Sequence, residues 1–306
     1  MSGHHLPEGI LLDICLRLPV KAIGRFRCVN KSLCSLLQSP NFIQMHLNHS
    51  TEKDKFKLLI SSYSDGQSSV HSMASRSDSS LLLSDYESVE IDYPFKSQNP
   101  LVEIIGSCNG LVCLELNRRD VCIWNPSTTE FKKIQTPPTV FKVLDVAHRR
   151  GQKGYSYGFG YDSKIGDYKL VRYERCEYVM YLSSGSIYTL GTDTWKKIES
   201  RALSLYDVSF ADKSGVHVNG VLYWIAARTL EKGDGFKSCL VIVSFNICGE
   251  SGHEIQLPAD ISAGQVALSL SMFDGNLCLI CDILDVHVEV WVMKDFGEDK
   301  ARERES

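Results

Sequence analysis

Nine histidines are spread along the chain: His4, His5, His46, His49, His71, His148, His217, His253 and His287. A helical zinc site needs two of them four residues apart, so that both rings share one face. No pair stands at that spacing. Cys278 and Cys281 make one C-x-x-C, with no second pair to complete a metal site. Residues three apart in a strand point to opposite faces, so both read as small apolar side chains. Gly158-Phe159-Gly160 lacks the third glycine and the following helix of a phosphate loop, and reads as a tight packing site. The expectation is therefore no catalytic residue, no metal and no cofactor. One cluster suits recognition: His148, Arg149, Arg150 and Lys153 share an irregular segment and could meet an acidic partner.

The whole chain narrows the classes. Its net charge is −4 over 306 residues, so neither nucleic acid nor a membrane surface is an expected partner. No apolar run approaches the roughly 20 residues of a membrane span, and the first residues do not form a secretory signal. The 11 cysteines are odd in number and scattered, a reducing-compartment pattern that fits a cytoplasmic and/or nuclear location.

Two kinds of element must position whatever the chain does. Residues 6–47 read as short helices. Ile10, Leu11, Ile14 and Leu18 recur at helical spacing, and Pro19 ends that segment. Val20, Ile23 and Phe26 begin a second. Asn30 can cap a third, with Leu33, Leu36 and Leu37 inside. Ser39-Pro40 ends it, and residues 42–47 offer a last turn or two. About forty residues bury little core alone. Periodicity leaves two readings open: a helical cap on the main domain, or a docking face for another protein.

Residues 55–61 read as a first strand, and residues 61–80, half of them serine, as a surface loop. From residue 101 the pattern is all-β, with internal repeats. A turn followed by a strand recurs at Asn109-Gly110, Gly166-Asp167, Asn219-Gly220 and Asp274-Gly275. Residues 124–134 (WNPSTTEFKKI), 188–198 (YTLGTDTWKKI) and 245–255 (FNICGESGHEI) add an aromatic strand, a polar turn and a strand ending in isoleucine. Each unit is about four strands, the size of a propeller blade. Phe131 and Trp195 are expected to pack between blades. After residue 296 the sequence GEDKARERES has no apolar anchor, so the last unit is expected to lack its closing strand and leave an open edge.

The first stretch resembles an F-box of the plant type. Leu6-Pro7, Ile10, Ile14, Arg17-Leu18-Pro19-Val20-Lys21, Arg25-Phe26-Arg27-Cys28-Val29, Lys31-Ser32, Pro40, Phe42 and His46-Leu47 carry the likeness. Gly9, Cys15 and Leu33 depart from it, in place of an acidic residue, a leucine and a tryptophan. The pieces SCNGLVCL, IWNPSTTEFKKI, YGFGYDSKIGDYKLV and VHVNGVLYWIA, in that order, resemble the kelch-like F-box-associated interaction domain. The resemblance implies an α+β multidomain chain: a helical F-box over residues 1–50, a strand and serine-rich linker over 51–100, an all-β kelch-like propeller over 101–296 and a charged tail over 297–306.

It also implies a non-catalytic substrate-recognition subunit of a Skp–cullin–F-box ubiquitin ligase. Leu6, Pro7, Ile10, Ile14, Leu18, Pro19, Val29 and Leu33 would form or support the surface for the Skp-type adaptor, and through it the cullin. Loops within residues 137–155, 175–186 and 226–237 would hold the target protein. Alternatives are a sequestering module outside a ligase, a self-incompatibility-type factor, or a truncated paralogue without function.

Overall fold

The structure is a computed structural model. It describes residues 7–51, 58–75, 86–98, 100–137, 155–175, 183–198, 206–208, 214–232, 235–258, 266–283, 287–293 and 302–305. The chain divides into two compact units. One comprises Met1–Glu103, Asn109–Leu111 and Cys122–Lys133, the other Ile104–Cys108, Val112–Val121 and Ile134–Ser306.

The first unit opens with four helices: α1 (Glu8–Leu16), α2 (Val20–Phe26), α3 (Lys31–Gln38) and α4 (Pro40–Thr51). Their ends are set by side chains that the sequence shows. Pro7 and Pro19 hold extended backbone ahead of α1 and α2. The Asn30 Oδ1 accepts from the Leu33 N–H at 2.7 Å, satisfying one orphan donor of α3. Ser39 does the same for Phe42 at 3.2 Å, and Pro40 takes the first position of α4, where its missing N–H costs nothing. α4 is longer than the turn or two expected. Phe42, not Pro40, decides its fate: that ring is buried and anchors the helix.

The serine-rich segment is not a loop as far as it is described. β1 (Leu58–Ser64) and β2 (Gln67–Ser75) form a hairpin, and β3 (Tyr86–Glu90) pairs with β2. Asp65 and Gly66 both have positive φ (+52° and +77°), as a type I′ hairpin turn requires. The described strand runs to Ser64, three residues past its expected end. Serine is tolerated because strand pairing is made by the backbone, and Ser62 and Ser69 hydroxyls bond across the pair at 2.8 Å. Residues 94–100, expected as a turn, contain a short 3₁₀ helix at Lys96–Gln98.

Four antiparallel meanders follow. β4 (Val102–Cys108), β5 (Leu111–Leu116), β6 (Asp120–Trp124) and β7 (Phe131–Ile134) form one sheet. β8 (Tyr155–Asp162), β9 (Asp167–Arg175), β10 (Ser183–Thr189) and β11 (Thr194–Ile198) form the next. β12 (Tyr206–Val208), β13 (Ser214–Val218), β14 (Val221–Lys232), β15 (Gly235–Asn246) and β16 (Ser251–Gln256) form a third, and a short parallel pairing of β13 with β8 joins these two into one nine-stranded sheet. β17 (Val266–Phe273), β18 (Asn276–Ile283), β19 (His287–Met293) and β20 (Arg302–Glu305) make the last.

The expected repeats are the hairpins between the first two strands of each meander. Asn109-Gly110, Asn219-Gly220 and Asp274-Gly275 have positive φ at both residues. The Gly166 turn differs: Asp162 closes it by accepting from the Lys164 N–H at 2.9 Å. The fourth sheet corrects the expectation of a missing final strand, since Arg302–Glu305 pairs with β19. An outer strand needs backbone bonds more than apolar anchors.

Phe159, Leu222, Phe245 and Ile247 are buried to 1 % exposure or less in the core of the second unit. Each such side chain contributes about 1.5–3 kcal/mol. The expected packing role of the glycine pair holds. A Cβ on Gly158 would meet Trp224 at 2.6 Å, and one on Gly215 would meet it at 2.4 Å. The Trp224 indole N–H donates to the Tyr157 carbonyl at 3.2 Å. Gly215→Ala is therefore expected to lower stability by about 1–3 kcal/mol. A urea melt measures this, and an unmoved midpoint would show that Trp224 yields.

Phe131 and Trp195 behave differently from each other. Trp195 packs against Tyr188 with the rings tilted and donates its indole N–H to the Gln135 carbonyl at 2.8 Å, just past β7. Phe131 remains half exposed, edge-on to Phe95.

Candidate adaptor-binding face

The four helices pack around Cys15, Ile23, Leu33, Leu37 and Phe42, with Leu11, Leu12, Leu16, Leu18 and Leu36 at the margin. The His46 ring N–H donates to the Leu18 carbonyl at 2.9 Å and ties α4 to the end of α1. Cys15 is fully buried, and burial pushes its thiol pKa up. It serves as a small hydrophobe. A side chain on Gly9 would meet nothing within 4 Å, so its cost is helical propensity alone, up to about 1 kcal/mol.

This core sorts the expected adaptor residues. Ile10, Ile14 and Val29 are 50 %, 43 % and 65 % exposed. Pro7 and Pro19 are exposed and Leu18 is half-buried. Leu6 lies outside the described residues. Leu33 is buried, one turn from Leu37 on the inner side of α3, as its spacing predicts. Three apolar side chains were not singled out as surface. Val20, Phe26 and Ile43 are also exposed. Ile43 follows buried Phe42 and so falls outside the core, a signal present in the sequence. Six large apolar side chains are thus exposed on this short helical unit.

The target-binding expectation is less fully placed. His148, Arg149, Arg150 and Lys153 lie outside the described residues, as does most of the 175–186 loop. The 226–237 stretch is a correction: β14 and β15 pair from Val221↔Asn246 to Lys232↔Gly235, so it is a long ribbon. Its polar letters disguised it, because a two-stranded ribbon buries little. β8 and β13 run parallel, and Asn219 Nδ2 donates to the Gly275 carbonyl at 3.1 Å. The three meanders of the second unit thus bring their first turns to one end. The β9–β10 connection and the ribbon tip leave from the other.

Buried charges in this unit are paired rather than poised. The Lys169 ammonium meets Asp162 at 2.7 Å, Glu250 at 3.0 Å and the Ile247 carbonyl at 3.1 Å. Burial alone would raise the Asp162 pKa, but hydrogen bonds from Lys169, Cys248 and the Lys164 N–H, with the Lys169 charge, hold it below its usual value. Burial likewise opposes the charge on Lys169, and its two carboxylates more than restore it. Arg172 meets Glu174 at 2.7 Å and donates to the Pro137 carbonyl at 2.8 Å. Among the described residues no group of histidine, cysteine and acidic side chains forms a metal cage, and no helix is long and apolar enough to cross a membrane.

Comparison with known families assigns two consecutive stretches of the chain. The F-box domain model matches residues 4–45, and that of the F-box associated beta propeller domain matches residues 51–301. The chain belongs to the F-box associated beta propeller family. As an F-box protein of this family it resembles F-box protein CPR1 of Arabidopsis thaliana, at 29 % identity over 95 % of this chain and 70 % of that protein. The F-box/kelch-repeat protein At3g23880 of the same plant is 26 % identical over 97 % of this chain and 78 % of its own length. The F-box match contains all eight expected adaptor positions. The propeller match takes in the β1–β3 sheet and the four meanders up to β19.

Proposed function

We propose that this F-box protein is the substrate-recognition subunit of a Skp–cullin–F-box ubiquitin ligase. The exposed Ile10, Ile14 and Val29, held over a core of Cys15, Leu33 and Phe42, carry this reading together with family membership. Leu6, Pro7, Leu18 and Pro19 complete the adaptor face. The β-sheet domain binds a target protein, with the segment holding His148, Arg149, Arg150 and Lys153 as its basic contact. The chain makes and breaks no bond. It raises the local concentration of target lysines beside a ubiquitin-loaded enzyme. The complex acts in the cytoplasm or nucleus.

The test is affinity capture of the full chain with the proteasome inhibited. Adaptor and cullin should be recovered with the chain, and a co-captured protein should accumulate when the chain is removed. A stable target recovered without cullin would replace the ligase reading with sequestration.

A further inference from the structure

One face of the β1–β3 sheet carries a row of hydrogen-bonded side chains that includes a base. Residues directly opposite in paired strands share a face, as do residues two apart along one strand. Ser62 pairs with Ser69, and both Ile60 and Glu90 pair with His71, so Ile60, Ser62, Ser69, His71, Ser88 and Glu90 stand together. The hydroxyl oxygens of Ser62 and Ser69 are 2.8 Å apart. The Ser69 hydroxyl lies 3.1 Å from His71 Nε2. The Ser88 hydroxyl lies 3.3 Å from His71 Nδ1. Glu90 is engaged by Lys96 at 2.8 Å, which leaves Ser88 to hold the ring. Ser62 and Ser88 are exposed, and Ser69 and His71 are half-buried.

A hydroxyl within hydrogen-bond reach of a base, itself oriented by a third group, is the arrangement of an activated nucleophile. We propose that Ser69 is such a nucleophile and accepts the acyl group of small activated esters. With its proton on Nδ1, the His71 ring donates to Ser88, and Nε2 accepts from the Ser69 hydroxyl. The Ser69 Oγ attacks the acyl carbon, and its proton passes to Nε2. The bond from that carbon to the leaving oxygen then breaks, and the leaving alcohol takes the proton from Nε2. The products are an ester on Ser69 and the free alcohol. Ser62 donates to the oxyanion formed on the way. Ile60, opposite His71 and 40 % exposed, offers an apolar neighbour to a short acyl chain. A ligase subunit needs no bond-making of its own, so this site is independent of that role. Histidine spacing does not reveal it, because Ser88 arrives from another strand.

Treating the full chain with p-nitrophenyl acetate, and locating the acetyl group by peptide mass spectrometry, tests this. Ser64 is the internal reference: it is exposed in the same hairpin and donates to Asp65 at 3.1 Å. Ser69 should gain acetyl about a hundredfold faster than Ser64, the lower end for a positioned base. His71→Gln keeps hydrogen-bonding groups but is no base, and should bring Ser69 down to the rate of Ser64. Ser88→Ala should slow Ser69, and Ser88→Thr, which keeps the hydroxyl, should restore it. Equal rates at Ser69 and Ser64 in the wild type overturn the proposal. So does a Ser69 rate that His71→Gln or Ser88→Ala leaves unchanged, or an acetyl group that settles on Ser88 instead.

Discussion

Replacing Ile10 and Ile14 together by aspartate is expected to abolish capture of a Skp-type adaptor and leave the thermal unfolding of the chain unchanged. Both side chains are about half exposed, one turn apart on α1, while the helix is held from the other side by Cys15. Their loss therefore removes binding surface without opening a cavity. Central apolar contacts cost about 2 kcal/mol or more each when removed, roughly a thousandfold in affinity for the pair. Leu33→Ala is the informative contrast. Leu33 is buried, so truncation should cost about 2–5 kcal/mol of stability, and adaptor binding should fall only as the helices unfold. Titration of each variant with purified adaptor, beside a thermal melt, separates the two effects. If the aspartates leave affinity intact, the adaptor face is elsewhere on the helices.

The second large effect is expected at Lys169. Lys169→Met keeps much of the volume but leaves Asp162, 1 % exposed, without its ion pair. Breaking a buried pair from one side costs about 3–5 kcal/mol. Acid should act on the same cluster. The folded pKa values of Asp162 and Glu250 lie below their usual 3.8 and 4.5. Their contribution is full above those values and is lost as pH falls through the folded ones. His217 adds an earlier step of the same sign. Burial lowers its pKa from 6.5, and its Nε2 accepts from the Gly220 N–H at 3.2 Å. The unfolded chain gains a proton there first, so stability should begin to decline below about pH 6.5 and fall again below about pH 4.5. Urea melts across pH check this. In Lys169→Met the lower step should shrink and the His217 step should persist.

Much of the fold was legible because turn chemistry and period carry it. Asn-Gly and Asp-Gly announce hairpins wherever they occur, and three of the four expected turns have the paired positive φ values. Asp65-Gly66 has them too, but serine composition outweighed that dipeptide in reading residues 61–80 as a loop. β20 and the β14–β15 ribbon escaped for one shared reason. Their sequences show no apolar alternation, yet their backbones still pair.

The adaptor face was legible in position more than in depth. Helical spacing groups Ile10, Ile14, Leu18 and Leu33 without saying which face meets core. The spacing of Leu33 from Leu37 puts it inside, where the structure has it. The basic cluster at 148–153 rests on composition alone, since charge in a connection between strands says little about what it touches.

The meeting of β8 and β13 has a consequence for how the chain comes apart. Two meanders share Ser214↔Tyr157 and Gly215↔Gly158 pairing, and Trp224 of one is wedged against glycines of both strands. Neither can fray inward without withdrawing that indole. The amides of residues 157–158 and 214–215 should therefore exchange with solvent at one shared rate, set by opening of the nine-stranded sheet as a single cooperative block.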